Sequence, residues 1–154
     1  MRRPARLVRL MKQITLLFYR AFDNPHATLL DKLVAWIDGG IHSHVEVVTN
    51  NAPWALHTVG CHLMRGGVSA GDYTAEADYC DIVTFDAVDN AQALYLATRG
   101  QGYSILAAAA TRWHWLPSRG WACNVWAAAA CGMDGRRMPI WKMFEIACAS
   151  KASD

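Results

Sequence analysis

The chain has no apolar run approaching the roughly 20 residues that a bilayer-spanning helix requires, so no transmembrane segment is expected. It has no Cys-x-x-Cys pair, and its five cysteines are an odd number. Those absences exclude the common paired-cysteine zinc and dithiol motifs, and a chain of 154 residues buries enough core to need no disulfides. A reducing, cytoplasmic setting is therefore expected, with Cys61, Cys80, Cys131 and Cys148 acting as small apolar packing residues. Charge of one sign is also scarce. The 15 basic and 13 acidic residues nearly cancel, which argues against a nucleic-acid or anionic-membrane partner. Internal repeats and linkers are absent, which points to a single domain.

No secretion signal is expected either. Met1-Arg2-Arg3 is basic, but the apolar run Ile14 to Phe18 is too short, Arg20 interrupts it, and no small-residue cleavage site follows. Residues 1–11 read as a disordered basic leader, with Met11 as an alternative natural start. The domain is expected over 12–149, followed by a polar tail at 150–154.

What is present begins with seven tryptophans, which favour a core of large, irregular pieces or an aromatic-lined groove. Ile14 to Tyr19 is β-branched and aromatic and predicts a buried strand. Leu29, Leu30, Leu33, Val34 and Ile37 recur at helical spacing, predicting an amphipathic helix from His26 that stops at Gly39-Gly40. Ser43 to Val48 and Trp54 to Val59 alternate as strands around an Asn50 to Pro53 turn, which predicts a hairpin. Residues 66–77 read as loose, and Tyr79 to Phe85 as a further strand. Helices are expected after Asp89-Asn90, after Tyr103-Ser104, at Cys123, and from Pro139-Ile140. This order predicts an α+β domain with an antiparallel sheet packed against helices.

The run Trp121 to Trp126, followed by Ala127 to Ala130, places Cys123 in the first turn of a buried helix. Unpaired backbone N–H groups and the helix dipole there favour a thiolate. A first-turn cysteine, with histidines elsewhere on a strand, is the pattern of a thiol nucleophile and its base. The plainer reading of Cys123 is a packing residue in an alanine-rich helix.

Three segments carry a family likeness. Gly40 to Val48, with His44, resembles the histidine strand of circularly permuted NlpC/P60 proteins, the papain-like thiol hydrolases that include YiiX-like and lecithin:retinol acyltransferase-like groups. Ala97 to Ser104 resembles that family's helix-end glycine-then-tyrosine motif, and Trp121 to Val125 is similar to its cysteine motif. Asn124-Val125 stands where many relatives carry serine and an acidic residue. The resemblance implies a papain-like fold and a cysteine hydrolase cleaving an amide bond through an acyl-thioester, with a thiol acyltransferase or esterase acting on lipid or ester substrates as the alternative that the same relatives imply. Its implied partner is a peptide or acyl substrate, with cell-wall (peptidoglycan) peptides foremost, in a bacterial or phage setting. Cys123 would be the nucleophile, His44 the base, and His57 on the following strand the third, orienting residue. Glu46 shares a strand face with His44 and rivals His57, and Tyr103 is placed as a site-lining residue. No cofactor is expected.

Two other readings stay open. The imidazoles of His42, His44, His57 and His62 offer a zinc set, although no carboxylate or Cys/His ligand follows at a telling interval. His42, His62 and His114 are read as strand-mouth, surface or groove residues. Alternatively, Trp113 to Leu116 with Trp121 line a groove for a peptide or lipid in a non-catalytic binding module of the same fold.

Overall fold

A computed structural model describes residues 11–49, 57–72, 78–117 and 119–151. Of the leader expected at 1–11, residues 1–10 lie outside the described residues and Met11 instead opens a strand; the Asn50 to Pro53 turn, Trp54 to Leu56 of the strand expected after it, and 152–154 of the tail expected at 150–154 also lie outside. Five strands, β1 (Met11–Arg20), β2 (His42–Val48), β3 (His57–His62), β4 (Gly67–Asp72) and β5 (Cys80–Val88), form one sheet in the order β4-β3-β2-β1-β5. All neighbouring pairs are antiparallel. Helix α1 (Leu29–Asp38) separates β1 from β2, and α2 (Ala91–Thr98), α3 (Ile105–Arg112), α4 (Cys123–Ala130) and α5 (Ile140–Ala149) follow β5. The expected α+β class with an antiparallel sheet is what forms. Among the described residues no helix is long and apolar enough to cross a membrane.

Strand alternation sends Leu16, Phe18, Val45, Val47, Val59, Cys61 and Phe85 into one core with Trp126 and Ala127 of α4 and Met143 of α5. Leu17 and Tyr19 of β1 form a separate, smaller cluster. Helix α4 is the central one, touching β2, β3, α2, α3 and α5. Its small alanines allow that close approach, and seven of its eight residues are buried. Trp126 fills the middle and donates its indole N–H to Thr98 Oγ1 at 3.0 Å.

Helix α1 starts three residues later than the periodicity predicts. Asn24 Oδ1 accepts the His26 N–H at 2.8 Å, and Thr28 with Asp31 then forms a reciprocal capping box. Gly39, at φ 84°, ends it. The predicted amphipathic character does not translate into burial: Leu29, Leu33 and Trp36 are 86%, 49% and 73% exposed.

The predicted loose stretch contains a strand. β4 pairs with β3 over its whole length, from His57↔Asp72 to His62↔Gly67. Its glycines and small residues have little β-propensity, so the ladder with β3 makes it a strand. Gly67, at φ 125°, lies against the Gln101 carbonyl with no room for a Cβ. Val68 then exchanges backbone bonds with Gln101 and Gly100 at 2.9 and 3.0 Å, tying the sheet edge to the segment that carries Tyr103.

Candidate active site

Cys123 is the first residue of α4, after an extended Ala122 whose side chain caps nothing. The first-turn N–H groups therefore remain available at the cysteine end. The loop before it is held in place. Ser104 N–H bonds Trp121 O at 2.7 Å, the Ser104 hydroxyl bonds Arg119 O at 2.7 Å, and the Trp121 indole N–H bonds Gln101 Oε1 at 2.7 Å. Asn124, where the family pattern departs, is buried and donates to Met138 O at 2.6 Å. Its role is to pin the start of α4 to the approach to α5. Tyr103 lines a cavity with Cys123, and burial, then the charge at Cys123, raise its pKa so that the hydroxyl keeps its proton.

The antiparallel register places the rest. Val48 pairs with Thr58 and Val47 with Val59. Continued along the ladder, this sets Gly60 beside Glu46 and His62 beside His44. His44 Nε2 lies 2.9 Å from Glu46 Oε1, and His62 Nδ1 lies 3.2 Å from the same oxygen. The two imidazole centroids are 4.8 Å apart. Gly60 makes the room: a Cβ there would sit 3.0 Å from Glu46 Cγ. Glu46 is fully buried, and Tyr19 OH lies 3.5 Å from its second oxygen.

Cys123 and His44 line the same cavity, and the cysteine is close enough to raise the imidazole's pKa. With Nε2 on the carboxylate, Nδ1 is the ring nitrogen left for the sulfur. Burial pushes the His44 pKa down, but the bonds to Cys123 and Glu46 and their charges outweigh it and bring it to about 10. Burial likewise pushes Glu46 up, and the His44 bond and charge overcome it, leaving the carboxyl below its usual range. His62 goes the other way. Burial and then the His44 charge lower it to about 4, so it stays neutral beside the carboxylate. These shifts favour a charged His44, a charged Glu46 and a neutral His62 in a cavity that Cys123 also lines.

Cys123 and His44, 79 positions apart in sequence, line the same cavity. Cys123, His44, Glu46, His62 and Tyr103 all line one cavity of about 500 Å³. His57 is not among them. It begins β3, five residues from His62 and at the opposite end of that strand, and alternation puts it on the other face from Thr58, Gly60 and His62. The third residue of the cluster is Glu46. His62, read from sequence as a surface or groove residue, is a buried member of it.

His42 is also displaced from its expected place. A register shift between Tyr19 and Arg20 breaks the alternation, so His42 does not share a face with His44. It is buried against Phe18 and Phe144, 2.6 Å from Asp81. The zinc set read from the sequence is therefore scattered. Among the described residues the donor atoms of His44, Glu46 and His62 do lie within 4.8 Å of one another, a set of suitable type for a metal ion. His114 is exposed, as expected.

No family model, curated protein or solved structure matches the chain.

Proposed function

We propose that this protein is a cysteine hydrolase of the permuted NlpC/P60 kind, acting on an amide or ester carbonyl through an acyl-thioester. The observation that carries the reading is His44, bonded to a fully buried carboxylate in a cavity that Cys123, at a helix start, also lines. The imidazolium holds the sulfur as thiolate, and Glu46 holds the ring in position. The thiolate attacks the carbonyl carbon, and the developing oxyanion meets the first-turn N–H groups of α4, that of Cys123 among them. The neutral Tyr103 hydroxyl is a further donor at the same place. His44 passes its proton to the leaving nitrogen or oxygen as the carbonyl bond to it breaks. It then takes a proton from the incoming water, which releases the acid and restores the ion pair. An acceptor alcohol or amine in place of water makes the same intermediate a transfer reaction. Cell-wall peptides are the substrate class the family resemblance implies.

Iodoacetamide at neutral pH is expected to label Cys123 far faster than Cys61, Cys80, Cys131 or Cys148, and His44→Ala to remove the preference. Cys123→Ser is expected to abolish turnover across a panel of amides and esters while leaving ligand binding intact. Uniform labelling of all five cysteines overturns the thiolate. A full equivalent of bound zinc, lost in His62→Ala, gives the site to a metal instead.

A further inference from the structure

The thiol mechanism gives His62 no step, yet the fold buries that imidazole beside the catalytic pair. His44 Nε2 and His62 Nδ1 approach one oxygen of Glu46 at 2.9 and 3.2 Å, and the three donor atoms lie within 4.8 Å of one another. Two imidazole nitrogens and a carboxylate oxygen are a zinc-ligating set, and bonds of about 2.0–2.1 Å to a tetrahedral ion put such donors about 3.3–3.4 Å apart. The two nitrogen–oxygen spacings fall short of that by only a few tenths of an ångström. Glu46 is fully buried, so a cation replaces hydration that its carboxylate has lost. Its second oxygen lies 3.5 Å from the Tyr19 hydroxyl, the kind of outer contact that holds a ligating carboxylate in place. Gly60 leaves the space between the strands clear of a side chain: a Cβ there would come 3.0 Å from Glu46 Cγ and 3.5 Å from His62 Nε2. The set is also open to solvent. The His44 side chain is 20% exposed, and all three residues line the cavity of about 500 Å³ that Cys123 lines.

We propose that His44, Glu46 and His62 form a reversible site for a divalent cation of the zinc type, and that its occupancy switches the thiol off. The proposal rests on the thiol reading above and names a regulation of that site. The ion takes the place of the proton between His44 Nε2 and Glu46 Oε1, and that proton goes to water. A metal-bound His44 gives a proton to a leaving group only by becoming an imidazolate, and Glu46 no longer orients the ring. Three ligands leave a tetrahedral ion one open position, reached from the cavity that all four residues line. A thiolate is a better zinc ligand there than water, and Cys123 drawn into it is no longer a free nucleophile. His62 distinguishes this site from a simple thiol–imidazole pair, since it supplies the one ligand that comes from β3. A resident catalytic zinc is a different case: it stays through purification, and its removal abolishes turnover instead of restoring it.

Iodoacetamide labelling of the full chain, followed by mass spectrometry, tests this without knowledge of the substrate. Cys123 is compared with exposed Cys148 after treatment with EDTA, and again in buffered free zinc. At free zinc about ten times the dissociation constant, mass action is expected to leave about a tenth of Cys123 reactive. Renewed EDTA should restore the rate, and Cys148 should be unaffected throughout. His62→Ala is expected to raise the zinc needed for half-protection by at least the roughly 10- to 100-fold that loss of an outer-shell partner costs. Each variant is measured against its own metal-free rate, and His62→Asn, closer in shape, takes the place of His62→Ala if that variant does not fold. Cys123→Ala should still take zinc from a chromophoric chelator, because His44, Glu46 and His62 remain. Equal protection in wild type and the His62 variant, or zinc binding lost in Cys123→Ala, assigns the ion to the thiol and overturns the proposal. No protection in a wild type whose metal-free Cys123 reacts fast overturns it too and leaves the thiolate standing. A metal-free Cys123 no faster than Cys148 removes the thiol reading and the switch together.

Discussion

The start of β2 and the outer face of α1 invert each other's chemistry. At the first, a carboxylate and three polar rings are packed inside: Glu46 is fully buried, with His44, His62 and Tyr19 around it. At the second, Leu29, Leu33 and Trp36 stand in solvent. Stability alone favours the opposite placement, with the charges outside and the leucines in. The buried charges hold because each has a partner, and of the exposed residues Leu33 lines a groove between α1 and α3 that Cys123 also lines. The buried cluster and Leu33 each line a cavity that Cys123 also lines.

Breaking the buried side is expected to produce the largest effects. Glu46→Gln keeps the shape and removes the charge, and should lower Cys123 reactivity by roughly 10²- to 10⁴-fold with little change in fold. Glu46→Ala leaves the His44 imidazolium buried without its counter-charge, and should cost about 3–5 kcal/mol of stability by chemical denaturation. If Glu46→Gln reacts as wild type, Glu46 is not the orienting group. Gly60→Ala comes next. Its Cβ would press on Glu46 Cγ at 3.0 Å, with an expected loss of about 1–3 kcal/mol and slower alkylation of Cys123. An unchanged rate there would mean the carboxylate can shift without consequence.

The exposed side sharpens the comparison from below. Leu29→Gln and Trp36→Gln are expected to alter stability by no more than about 0.5 kcal/mol, since little is buried at either position. Denaturant midpoints that fall as far as for a core deletion would show that this face is covered in solution.

Much of this was legible in the sequence, for local reasons. Gly39 and the alanine run after Cys123 are short-range signals, and the helices they announce are present; Thr28-x-x-Asp31 is the local cap that periodicity, starting the helix at His26, passed over. β4 was not legible, because Gly67 to Asp72 becomes a strand only through its partner. The site divides along the same line. Cys123, His44, Glu46 and Tyr103 could be named from motif and alternation, but the choice between His57 and His62 depends on a cross-strand register that alternation within one strand does not set. The available clue was Gly60, a glycine inside a strand, which marks a place where another group comes close. For His42 the one-residue bulge decides its face, and nothing in the local sequence announces that shift.

The most direct test of the account is an NMR titration of the two imidazoles that share Glu46, in wild type and in Cys123→Ala. From an ordinary value near 6.5, His44 is expected to be raised to about 10 and His62 lowered to about 4. The His44 imidazolium then supports the fold fully below about pH 6.5, and that support is lost as pH rises through about 10. Cys123→Ala should bring His44 down, because the sulfur contributes to holding its proton. A wild-type His44 that titrates near 6.5, unmoved by loss of the thiol, would contradict the ion pair on which the proposed chemistry depends.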